Sequence, residues 1–80
     1  MSTSTQRQWR VSNSSELGSA LAEVRRGRGA TQADIAEQIG VDRTYVARME
    51  TGLSTRYMQR IFAILRDAGF ELEIVERDRG

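Results

Sequence analysis

Glycine spaces this chain. Gly27 and Gly29, then Gly40, Gly52 and Gly69, cut most of it into four stretches whose apolar residues recur three or four apart. That period marks an amphipathic helix, and a glycine just past the last periodic residue marks its end. Proline is absent from all 80 residues, so no Pro-rich linker interrupts the pattern. A chain divided this way is constrained to a small bundle of short helices, and its length allows one domain at most.

Each stretch also opens on a capping residue. Asn13 can cap a first helix, with Glu16 three positions on to complete a capping box. Leu17, Ala20, Leu21 and Val24 give that helix one apolar face, and it ends within Arg25–Gly29. Thr31 caps a second, with Asp34 in the matching position and Ile35, Ala36 and Ile39 facing inward. Asp42 caps a third carrying Val46 and Met49. Thr55 caps a fourth carrying Met58, Ile61, Phe62, Leu65 and Ala68.

The period then changes. Phe70-Glu71-Leu72-Glu73-Ile74 alternates apolar and acidic, which predicts a half-buried strand. A strand needs a hydrogen-bonding partner. With no second strand read elsewhere, the partner is expected to be the same segment of another protomer, antiparallel across a two-fold axis. A fifth helix and a frayed tail are the alternatives. Residues 1–10 are polar with Trp9 the one large apolar side chain singled out; 1–12 read as a flexible arm, 13–69 as the helical domain, and 70–80 as a dimerising strand and tail. So short a chain without disulfides is marginal as a monomer, which favours oligomerisation.

Composition narrows the chemistry. There is no Cys and no His, which excludes disulfides, Cys/His zinc sites, thiol nucleophiles and a histidine base. No cofactor, metal or enzymatic activity is therefore expected. No run of 18 apolar residues is available to span a bilayer, and the N-terminus lacks the apolar core of a secretory signal. A cytoplasmic location is the default expectation. The formal net charge is only +1, but all 12 basic residues are Arg. They are also unevenly placed, with ten Arg against seven acids in residues 1–69 and two against four in residues 70–80.

The stretch from Gln32 to Glu50 carries the most specific signal. Two short helices joined by about three residues must cross steeply and nearly touch. Ala36 supplies the small side chain where they meet, and Gly40 supplies the positive φ of the bend. Val46 and Met49 then turn inward, leaving Arg43, Thr44, Ala47 and Arg48 on the outer face of the third helix. This stretch resembles the helix-turn-helix of the Xre/Cro family of bacterial and phage repressors. The resemblance spans about residues 14–68, from Thr31-Gln32 to the close Arg48-x-Glu50-x-Gly52.

The resemblance implies a lambda-repressor-like domain of four to five helices, all-α apart from the terminal strand. It implies that the second helix of the motif enters the major groove of double-stranded DNA. Arg43, Thr44, Ala47 and Arg48 would then meet base edges. Thr31, Gln32, Tyr45, Ser54, Thr55 and Arg56 would meet phosphates, and two protomers would read an inverted-repeat operator. Other roles are open to several of these residues: pairing with Glu50 for Arg48, packing for Tyr45, first-turn stabilisation for Thr44. Glu50 resembles a family residue that braces the loop after the recognition helix. Arg25, Arg26 and Arg28 form a basic cluster that suits either solvent or phosphate.

A strand directly after the fourth helix resembles HipB-like antitoxins, in which such a strand pairs between protomers. That resemblance implies an autoregulating repressor with a HipA-like kinase toxin as partner, and Phe70, Leu72 and Ile74 in the dimer interface. A free-standing regulator and a protein-binding adaptor using the same helices are the alternatives. Trp9 suits a partner anchor or a residue folded back on the domain.

Overall fold

A computed structural model describes residues 7–77. Its elements run β1 (Gln8–Val11), α1 (Ser14–Gly27), α2 (Gln32–Ile39), α3 (Arg43–Glu50), α4 (Arg56–Ala68) and β2 (Leu72–Val75). None of these helices is long and apolar enough to cross a membrane.

The helix boundaries follow the local chemistry of their ends. The Asn13 side chain accepts from the Glu16 N–H at 2.8 Å. The Glu16 carboxylate reaches back to the Ser12 N–H at 2.7 Å, one residue before the usual capping-box donor. Thr31 and Asp34 form the complete reciprocal box, and Thr55 accepts from the Met58 N–H at 3.2 Å. Asp42 differs: it occupies the cap position of α3, but its side chain makes no cap hydrogen bond. Gly40 closes α2 in the left-handed conformation at φ 76°, which a residue with a Cβ adopts at a cost.

The C-terminal strand forms, and its partner lies within the chain. β2 pairs antiparallel with β1, with Trp9 opposite Ile74 and Val11 opposite Leu72. This corrects the expectation of a lone strand completed by another protomer, and it adds a two-stranded sheet to an architecture expected to be otherwise all-α. The segment read as part of a flexible arm has its own polar–apolar alternation, Gln8-Trp9-Arg10-Val11, and so presents one apolar face to the core. The rest of that arm, residues 1–6, lies outside the described residues, as do residues 78–80 of the tail.

The sheet covers one end of the core. Val11 is fully buried and clusters with Ala20 and Phe62, against which Trp9, Leu17, Met58 and Ile74 pack. Trp9 is thus folded back on its own domain. Its indole N–H donates to Glu23 at 3.0 Å, and the Arg7 guanidinium lies 5.3 Å from the ring centre. Ile39 was expected to face inward but is 53% exposed. As the last residue of α2, it is left outside when the chain turns away at Gly40.

Candidate nucleic-acid interface

The α2–α3 pair is built as its small residues require. Ala36 and Val46 are both buried, and the N–H groups of Gly40 and Val41 both donate to the Ala36 carbonyl at 2.9 Å. That fixes the bend between the helices. With Val46 turned in and Met49 half-buried, α3 presents Arg43, Thr44 and Arg48 to solvent, with Ala47 half-buried between them. Neither Arg43 nor Arg48 forms a salt bridge among the described residues. Two permanently charged guanidiniums on one helix face can offer paired donors to base edges or phosphate oxygens.

Behind this face runs a hydrogen-bonded chain of side chains. Arg25 at the end of α1 grips Glu50 at the end of α3 with two bonds, Nε to Oε2 at 2.6 Å and Nη2 to Oε1 at 3.0 Å. Its remaining Nη1 donates to the Ala30 carbonyl at 3.0 Å. Gln32 at the start of α2 donates to the same Glu50 oxygen at 2.9 Å. Its own amide oxygen then accepts from Arg43 at 2.9 Å. The Arg25 and Glu50 side chains are only 14% and 9% exposed. Arg25 therefore leaves the basic cluster read from the sequence and becomes a tether, while Arg26 and Arg28 remain exposed. Glu50 braces the motif as the resemblance implied, and being held by Arg25 and Gln32 it does not pair with Arg48.

The electrostatics of the brace set a pH dependence. The Arg25 guanidinium holds the Glu50 carboxyl below the usual glutamate range, and Gln32 adds to this against the opposing effect of burial. A carboxylate lowered on folding contributes stability that is present at neutral pH and lost as pH falls through its folded-state value. Thermal melts should therefore show stability dropping on acidification below the usual glutamate range. Glu50→Gln should lower the melting temperature at neutral pH and flatten the acid limb. The slope left over belongs in part to Asp34, whose carboxyl is lowered by the Thr31 N–H. An acid limb unchanged in Glu50→Gln would remove Glu50 from this role.

The residues expected to meet phosphates divide into two kinds. Tyr45 and Arg56 are exposed. Thr31, Gln32, Ser54 and Thr55 already hold protein partners: the two threonines cap helices, Gln32 bridges Glu50 and Arg43, and the Ser54 hydroxyl accepts from Ser14 at 3.0 Å. A hydroxyl that accepts a backbone N–H still has its own proton to donate. Thr31 and Thr55 therefore remain able to donate outward at the N-termini of α2 and α4, where helix dipoles favour an anion.

One positioning residue has no counterpart among the expected sites. Gly18 is buried in the middle of α1, and a Cβ built on it would lie 2.6 Å from the Met49 carbonyl oxygen, 2.6 Å from the Gly52 nitrogen and 2.7 Å from the Glu50 carbonyl oxygen. The end of α3 thus rests directly on the backbone of α1. Gly52 answers it from the other side: a Cβ there would lie 2.8 Å from the Ser15 Cα. The signal available in the sequence was a glycine inside an apolar helical pattern, a place where glycine otherwise costs helix stability.

Two short helices crossing at a small residue, the second presenting exposed arginines, define a DNA-binding helix-turn-helix protein. Comparison with protein families agrees: the chain belongs to the helix-turn-helix domain family, which matches residues 16–71. No curated protein and no solved structure matches the chain.

Proposed function

We propose that this protein is a sequence-specific transcriptional repressor that acts in the cytoplasm as a homodimer on an inverted-repeat operator, and that it is not an enzyme. The observation that carries the reading is the exposed α3 face of Arg43, Thr44 and Arg48, held on a braced helix. In such motifs the N-terminal residues of the second helix meet base edges, and paired half-sites lie about 34 Å apart on one face of the duplex. Thr31, Gln32, Tyr45, Ser54, Thr55 and Arg56 would supply the phosphate contacts.

Salt titration tests the proposal. Binding through phosphates releases counterions, so affinity should fall with a log–log slope of about −0.9 per phosphate neutralised. Binding that ignored salt, or no duplex binding even at low salt, would favour the protein-binding adaptor instead. The antitoxin reading relied on a terminal strand pairing between protomers. β2 is hydrogen-bonded to β1 of its own chain, which favours a free-standing regulator. Co-purification of a HipA-like kinase would restore the antitoxin reading.

A further inference from the structure

Helix α4 is apolar over a wider arc than its own core uses. At ~100° per residue, Met58, Leu65 and Phe62 occupy one side of that arc. Tyr57, Ile64 and Ala68 occupy the other, with Ile61 between them. Phe62 is buried and Met58 and Leu65 are half-buried, yet Tyr57 is 72% exposed and Ile64 67%. Phe70, just past the helix, is 67% exposed, and Leu72 is also open to solvent. Large apolar side chains grouped in this way mark an interaction site rather than scattered surface residues.

The charges beside this stripe identify its occupant. Arg60 and Asp67 lie on the same flank, seven positions apart, and neither forms a salt bridge among the described residues. A two-fold axis crossing α4 between Ala63 and Ile64 exchanges positions 60 and 67. An antiparallel copy would therefore set Arg60 against Asp67 of the partner subunit twice over. It would also bring the two Ile64 side chains together near the axis. The surface is complementary to itself, as an isologous interface must be.

We infer that the exposed side of α4 is the surface on which a second copy of this chain docks, antiparallel about that axis. The inference rests on the homodimer reading above and gives it a surface other than strand pairing between protomers. Ile74, one of the residues expected in a strand interface, packs on its own core, whereas Phe70 and Leu72 are exposed.

Sedimentation of the full chain over a concentration series tests it. The wild type should sediment as a dimer. Arg60→Asp and Asp67→Arg should each weaken the dimer about tenfold or more, because each places like charges opposite one another twice. The double variant Arg60→Asp/Asp67→Arg should recover the dimer. Ile64→Arg should be monomeric with an unchanged helical circular dichroism spectrum. Dimers that persist in both single variants, or a double variant that stays dissociated, would overturn the α4 surface while leaving the homodimer reading standing. A wild type that is monomeric at all concentrations would overturn both. Binding of a single half-site duplex, measured on the same variants, is independent of dimerisation and reports on DNA recognition separately.

Discussion

Replacing both Arg43 and Arg48 with alanine should eliminate sequence-specific DNA binding while leaving the melting temperature close to that of the wild type. Both side chains lie on the exposed face of α3 and contribute no salt bridge to the described fold. A well-placed arginine on a guanine edge gives about 1–3 kcal/mol of discrimination. Each single variant should therefore lose roughly ten- to a hundredfold in operator affinity, and the double variant should bind operator and random duplex alike. Fluorescence anisotropy against both duplexes measures this directly. Arg43→Ala should have one further effect, because it frees the Gln32 amide oxygen that Arg43 holds. Retention of wild-type operator affinity by the double variant would exclude α3 as the reading helix.

The second large effect is expected at a residue that faces no ligand. Gly18→Ala should destabilise the domain by about 3 kcal/mol, the upper end of what overpacking commonly costs. In an ordinary helix interior the same change stabilises by up to ~1 kcal/mol, so even the sign tests the geometry. The added methyl would meet three backbone atoms of the α3 end and its following turn. Backbone cannot rotate aside as a side chain does, so α1 and α3 must separate. Since Arg25 on α1 holds Glu50 on α3, that separation also strains the brace behind the exposed α3 face. Denaturant unfolding should show the loss, and operator affinity should fall with it. A Gly18→Ala protein as stable as the wild type would mean that α1 and α3 do not approach this closely.

What could be read from the sequence was whatever depends on near neighbours in the chain. Asn13, Thr31 and Thr55 cap the helices they were expected to cap, and Gly40 and Gly69 end theirs, because caps and glycine turns act within a few residues. The crossing at Ala36 was legible for the same reason, since α2 and α3 are consecutive. The β1–β2 pair was not, because it joins segments more than 60 positions apart and β1 offers only four residues of alternation. The pairing of Arg25 with Glu50 was hidden in a different way. Three neighbouring residues of the α1 end are arginines at positions 25, 26 and 28, and only the packing of α1 against α3 singles out Arg25. For α4 the apolar period gave the helix correctly, but period alone does not divide a wide arc between a molecule's own core and a second surface.

The small sheet alters how this domain holds together. Helices of eight to fourteen residues close their hydrogen bonds between near neighbours, whereas β1 and β2 pair across more than 60 positions and carry the larger loop-closure cost. The sheet is thus a clasp that ties the two ends of the described chain together. Because it carries Val11, the most enclosed side chain of the core, unfastening it opens the interior itself. The ends of the described chain are therefore not loose attachments to a self-sufficient helical body. They make the domain fold and unfold as one piece.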